Sequence, residues 1–173
     1  MNRVILFFDN TAKGSREFRK NGGVAAATAN IRMSQWYKAL GDLKRKQNIR
    51  EILNKIFIEK DDDVIIDLIN ELKEINPKNG LTGVGTVILS AILCTYNPDK
   101  YLTMLLLKHR LALIDFLGFG DIDNYRSYGE KIVNTKNDII SGFKEKFGID
   151  TTPYQLSFFV YCQLDGKYGW KPR

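Results

Sequence analysis

The stretch richest in chemical possibility is Lys78-Asn-Gly-Leu-Thr-Gly-Val-Gly85, which runs into Thr86 and the apolar residues 87–93. Glycines at 83 and 85 permit backbone angles closed to other residues and leave the main chain bare of side chains. A phosphate can then approach the amides of Thr82, Gly83, Val84, Gly85 and Thr86. At the start of the next helix, unpaired N–H groups and the helix dipole favour an anion. Val84 is expected to plug the interhelical core, and Lys78 to support the anion with its charge. Carbonyls of the same turn offer a place for a monovalent cation, and no other cofactor is expected. The plain alternative is an αα-hairpin with a glycine turn and no ligand.

A second set of residues suits the same chemistry. The chain carries a net charge of +6, and the excess is concentrated at one end: residues 1–50 hold eleven Lys/Arg against three Asp/Glu. Residues 51–100 are net acidic, with five against nine. A basic patch of this kind attracts a phosphate backbone, because each neutralised phosphate releases condensed cations. Arg32, Lys44, Arg45 and Lys46 belong to it, and Trp36 and Tyr37 lie within it as candidate stacking surfaces for a base. Lys108, His109 and Arg110 form a smaller basic cluster further on.

Other residues point elsewhere only weakly. Asp61, Asp62 and Asp63 read as the charged start of a helix, with Asp62 as its cap, rather than as metal ligands, since adjacent carboxylates on a helix diverge. Asp121 and Asp123 read as an Asx turn capping the next helix. Asp115 and His109 do not share a helix face. One histidine and two cysteines, Cys94 and Cys162 in apolar surroundings, exclude a typical zinc site. Ser34, Ser90 and Ser141 lack the setting of an activated nucleophile, and no Walker motif is present. Core packing accounts for most of the C-terminal aromatics; Tyr168 and Trp170 are left as candidate stacking residues.

The elements that must position these groups are helices. Residues 48–60 place Ile49, Ile52, Leu53, Ile56 and Phe57 at helical spacing, and residues 64–75 repeat the pattern until Asn76-Pro77 stops it. An apolar helix is predicted over residues 86–96, ended by Asn97-Pro98-Asp99. An extended piece over 101–107 and a helix over 108–117 come next, the helix ending at Gly118-Phe-Gly120. Residues 124–148 read as helical with a break near 134–137, and Thr152-Pro153 opens a last helix to about residue 164. The fold class is all-α: a helical bundle containing a helix-hairpin-helix, with an irregular N-terminal segment. Three regions are expected, a basic segment 1–47, a helical core 48–164 with its hairpin at 78–86, and a tail 165–173. Residues 4–8 are too short for a secretory signal and no apolar run approaches the roughly 20 residues of a membrane span, so a cytoplasmic setting without a membrane is expected.

Gly83-Val-Gly85, the apolar helix behind it and Asn97-Pro-Asp-Lys-Tyr101 together resemble the helix-hairpin-helix region of the DNA glycosylase superfamily, over about residues 75–116. The resemblance implies a hairpin that grips the DNA backbone. It breaks down at the catalytic positions. The family's aspartate would fall near Leu105, but the run from Leu102 to Leu107 holds no carboxylate. Asn76 stands near the place of the lysine used by bifunctional members. A grip without that catalyst is similar to the DNA-recognition modules of modification-dependent restriction systems of the McrB type, whose motor and nuclease are separate. The expected function is thus a non-catalytic, modified-base-reading DNA-binding module. DNA is its partner, together with a motor ATPase or nuclease on another chain. Two alternatives stand beside it: a divergent glycosylase-like enzyme using Asp115 or Asp121, and a small adaptor of a phage or defence system.

Overall fold

The computed structural model of the chain describes residues 33–75, 86–97, 99–102, 104 and 106–160. Seven α-helices and one 3-10 turn make up its regular structure, and no strand occurs among the described residues. The all-α expectation therefore holds there.

Helix α1 (Met33–Arg45) and α2 (Gln47–Ile58) are separated by Lys46 alone, whose extended backbone redirects the chain. Ala39 and Leu43 of α1 join Ile49, Ile52, Leu53 and Ile56 of α2 in one buried cluster. The boundary expected after residue 47 falls at the first residue of α2, which packs with α1 in one cluster. Helix α3 (Asp62–Ile75) adds Ile65, Ile69 and Leu72, spaced four and three apart as a single buried stripe requires. Its cap is Asp61 rather than Asp62: the Asp61 carboxylate accepts from the Asp63 amide at 2.9 Å. That one-residue shift leaves the Asp62 side chain available for other contacts.

Helix α4 (Thr86–Tyr96) is apolar on every side, and such a helix must be enclosed. Ile88, Leu89, Ala91, Ile92, Leu93 and Cys94 are all buried in the same cluster. Asn97 ends the helix, its side-chain oxygen accepting from the amides of Asp99 at 3.2 Å and Lys100 at 3.1 Å. Between α4 and α5 (Leu107–Leu117) none of the described residues is helical, and Tyr101, Leu102 and Met104 there are buried. Helix α5 closes at Gly118 in the left-handed conformation, φ +62°. Asp121 accepts from the Asp123 amide at 3.0 Å and caps a 3-10 turn, Ile122–Asn124, as the Asx reading requires.

Helix α6 (Tyr128–Phe147) is 20 residues long and uninterrupted. The break expected near 134–137 is absent for a tertiary reason: the Asn137 amide reaches another element instead of turning its own backbone. A reciprocal cap, Ser127 with Glu130, starts the helix at 128 rather than 124. Its first turn lies hard against α3. A Cβ on Gly129 would stand 2.3 Å from the Ile66 carbonyl oxygen, so no larger residue fits. The Gly129 amide donates to Asn70 Oδ1 at 2.8 Å, satisfying a helix-start N–H from across the interface. Helix α7 (Pro153–Phe159) opens on a similar reciprocal pair, Thr152 with Gln155, each accepting the other's amide at 3.2 Å. Its predicted continuation to residue 164 and the tail 165–173 lie outside the described residues.

A second buried cluster gathers Leu102, Met104, Leu113, Ile114, Tyr125, Ile139, Phe143, Leu156 and Val160. Helix α6 joins both clusters, giving Ile132 and Val133 to the first and Ile139 and Phe143 to the second.

Candidate functional site

The turn residues Lys78, Thr82, Gly83, Val84 and Gly85, and likewise Arg32, lie outside the described residues. Thr86 opens α4, and the two helices that flank the expected hairpin end at Ile75 and begin at Thr86. On α1 the outward side is defined more fully. Tyr37, Lys38, Lys44 and Arg45 are all exposed. At 100° per residue they fall on one side of the helix, centred on Gly41, while Ala39 and Leu43 hold the opposite side in the core. Arg45 folds back across Gly41, donating from Nε to its carbonyl at 3.2 Å; a Cβ there would stand 2.8 Å from the guanidinium. Lys46 pairs with Asp42 at 3.4 Å. Trp36 sits in the first turn of α1, three and seven residues before the buried Ala39 and Leu43.

The basic cluster expected at 108–110 separates, because consecutive helical residues point about 100° apart. Lys108 is exposed and His109 half-buried, but Arg110 is 2% exposed and belongs to the interior. Its Nε donates to the Met104 carbonyl at 2.7 Å and its Nη1 to the Ile132 carbonyl at 2.9 Å. Nη2 reaches Ser90 Oγ at 3.3 Å and the Leu102 carbonyl at 3.5 Å. A guanidinium engaged this way ties α4, α6 and the non-helical stretch before α5 together, and it cannot meet a DNA phosphate. The signal was present in the sequence: an apolar run without helical period needs donors for its carbonyls, and an arginine inside an apolar helix supplies them.

A second polar centre was not anticipated. Asp62, released from capping, accepts from Asn137 Nδ2 at 2.9 Å. It lies 3.6 Å from Lys100 Nζ and 3.4 Å from Lys136 Nζ. Lys100 also donates to the Glu59 carbonyl at 3.3 Å, fastening the turn after α4 to the end of α2. Burial pushes the Asp62 carboxyl up, but the Asn137 hydrogen bond and the two lysine charges outweigh it and hold the group below its ordinary value. For Lys136 burial dominates and lowers the ammonium's pKa, since a single carboxylate is its counter-charge while Lys100 and Arg110 repel it. The two lysines border an open cleft of about 640 Å³ whose walls include Asn137, Ser141 and Lys144 of α6 and Thr151 before α7. In the sequence Lys100 belongs to the Asn97-Pro-Asp-Lys-Tyr101 turn, Asp62 to a helix start, and Lys136 and Asn137 to the expected break near 134–137; no spacing joins them.

No group of three or more His, Cys, Asp or Glu side chains suited to a metal occurs among the described residues. Cys94 is inert: burial pushes its thiol up to about 12, and its S–H points to the Ala91 carbonyl at 3.3 Å. Cys162 lies outside the described residues. Asp115 is exposed on α5, and the Asp121 carboxylate is occupied as a cap. No helix among the described residues is long and apolar enough to cross a membrane. In comparisons with known proteins, the chain matches no family model, no curated protein and no solved structure.

Proposed function

We propose that the chain is a non-catalytic DNA-binding module that grips phosphates with the residue 78–86 turn and with the basic side of α1, and that reads a modified base. The observation that carries this reading is the exposed side of α1, where Tyr37, Lys38, Lys44 and Arg45 cluster around Gly41. Cations interleaved with an aromatic ring are what a nucleic-acid strand needs: charge for the backbone and a flat face for a base. The rigid packing of Ala39 and Leu43 beneath that side supports the reading, because a fixed array loses little freedom on binding. Lys108 adds an exposed cation on α5; Arg110 does not contribute. A motor ATPase or nuclease on another chain would supply the consequences of binding, and a monovalent cation at the glycine turn would help hold it.

Base excision by Asp115 or Asp121 finds less support, given the exposure of one and the capping role of the other. Fluorescence anisotropy with a labelled duplex at graded salt tests the proposal. About five phosphate contacts give a log–log slope near −4 to −5, and the double variant Lys44→Glu/Arg45→Glu should reduce its magnitude by about 2. Equal binding by wild type and variant, or no binding in low salt, overturns the reading and favours an adaptor for an acidic protein. Release of a free base and an abasic product would instead identify an enzyme.

A further inference from the structure

We infer that the outer face of α3 is a docking surface for the basic side of α1 on a second copy of this chain, so that copies associate head to tail. The contact uses the same side of α1 as the DNA-binding reading but does not rest on it. Asp63, Asp67, Glu71 and Glu74 are all exposed. At 100° per residue they fall within an arc of about 80° on α3, nearly opposite the buried Ile65, Ile69 and Leu72. None of the four is paired with a cation among the described residues. Lys73, the one basic residue of α3, lies instead over the Tyr128 ring, 4.9 Å from its centre. Carboxylates four residues apart on a helix repel, so Asp63, Asp67 and Glu71 weaken α3 unless a row of cations faces them.

The chain itself carries the matching row. Lys38, Lys44 and Arg45 are exposed on the side of α1 opposite Ala39 and Leu43. Lys38 and Arg45 stand seven residues apart, as do Asp67 and Glu74. Each pair therefore spans about 10 Å of helix, and the two rows match in length. Apolar groups accompany the charges on both surfaces: Val64 and Ile75 are exposed beside the acidic row, and Tyr37 is exposed beside the basic one. The two faces sit on different helices, so the contact is heterologous. A pair of copies still leaves one basic and one acidic face open, and association extends beyond a dimer. Exposed ion pairs are weak singly and screened by salt, so the contact forms at high protein concentration and low ionic strength.

Sedimentation velocity of the full chain over a range of concentrations tests the inference. In about 10 mM salt the sedimentation coefficient should rise with concentration, whereas in about 1 M salt it should stay at the monomer value. Asp67→Lys/Glu71→Lys should remain monomeric in low salt, and so should Lys44→Glu/Arg45→Glu. Mixed in equal amounts, the two variants should associate again, because the intact α1 of one meets the intact α3 of the other. No folding defect reproduces that restoration. Two reversals move the net charge of +6 by four units, to +10 in the first variant and +2 in the second; both stay positive, so bulk attraction does not account for it either. A chain that stays monomeric at every concentration in low salt overturns the inference, as does association that either variant retains or that mixing does not restore. Duplex binding is followed separately by anisotropy: a chain that associates in this way but binds no DNA keeps the docking contact and loses the DNA-binding reading.

Discussion

Arg110 and Lys136 are two cations drawn into the same molecule, and the surroundings of each differ in kind. Arg110 is enclosed: carbonyls of Met104, Ile132 and Leu102 and the Ser90 hydroxyl occupy its donors. Lys136 shares one carboxylate, Asp62, with Lys100, and borders an open cleft. The planar fork of arginine can serve several fixed acceptors at once, whereas an ammonium is a point charge that can be directed to a new partner. The contrast separates a cation whose donors are spread over several fixed carbonyls from one held beside a cleft by a single carboxylate.

The largest effect should come from breaking the enclosed site. Arg110→Met leaves the carbonyls of a buried, non-helical stretch without their donor, and should cost about 3 kcal/mol or more in urea unfolding. Gly129→Ala, which forces apart the backbones of α3 and α6 at the first turn of α6, should cost about 2 kcal/mol by the same measurement. Asp62→Asn should be milder, about 1 kcal/mol at neutral pH, because its lysines retain access to water. The pH dependence sharpens that last case. Folding lowers the Asp62 carboxyl below its ordinary 3.8, so its stabilisation is complete above the unfolded value and is lost as pH falls through the folded one. Acid unfolding of Asp62→Asn should lack that component, and a midpoint that moves with pH as in wild type would show the carboxylate to be uncoupled from folding. Lys44→Glu/Arg45→Glu, on a surface with neither kind of enclosure, should change stability by no more than about 0.5 kcal/mol while DNA binding falls.

The helices were legible because local spacing determines them. Helix α4 spans the expected residues 86–96, and α2, α3 and α5 differ from expectation by a few residues at most, with buried stripes such as Ile65, Ile69 and Leu72 already visible. Where a side chain answers to a distant element, the reading went astray. Asn137 looks like a helix breaker until Asp62 is brought beside it. Arg110 looks like a phosphate ligand in the company of Lys108 and His109, and only packing reveals the carbonyls that claim it. The cleft was illegible for the same reason: Asp62, Lys100 and Lys136 are far apart along the chain, and no spacing rule joins them. Of the expected DNA-contacting residues, Tyr37, Lys44 and Arg45 are exposed on one side of α1, whereas Arg32 and the glycine turn fall outside the described residues.

Helix α6, at 20 residues and about 30 Å, acts as a shared rod. Since Ile132 and Val133 anchor it at one end and Ile139 and Phe143 at the other, neither half can melt while the rod stays straight and seated in both. Fluorescent reporters placed in the two halves should therefore lose their native signal at one temperature, and a ligand gripping the middle of the rod would raise that temperature for both.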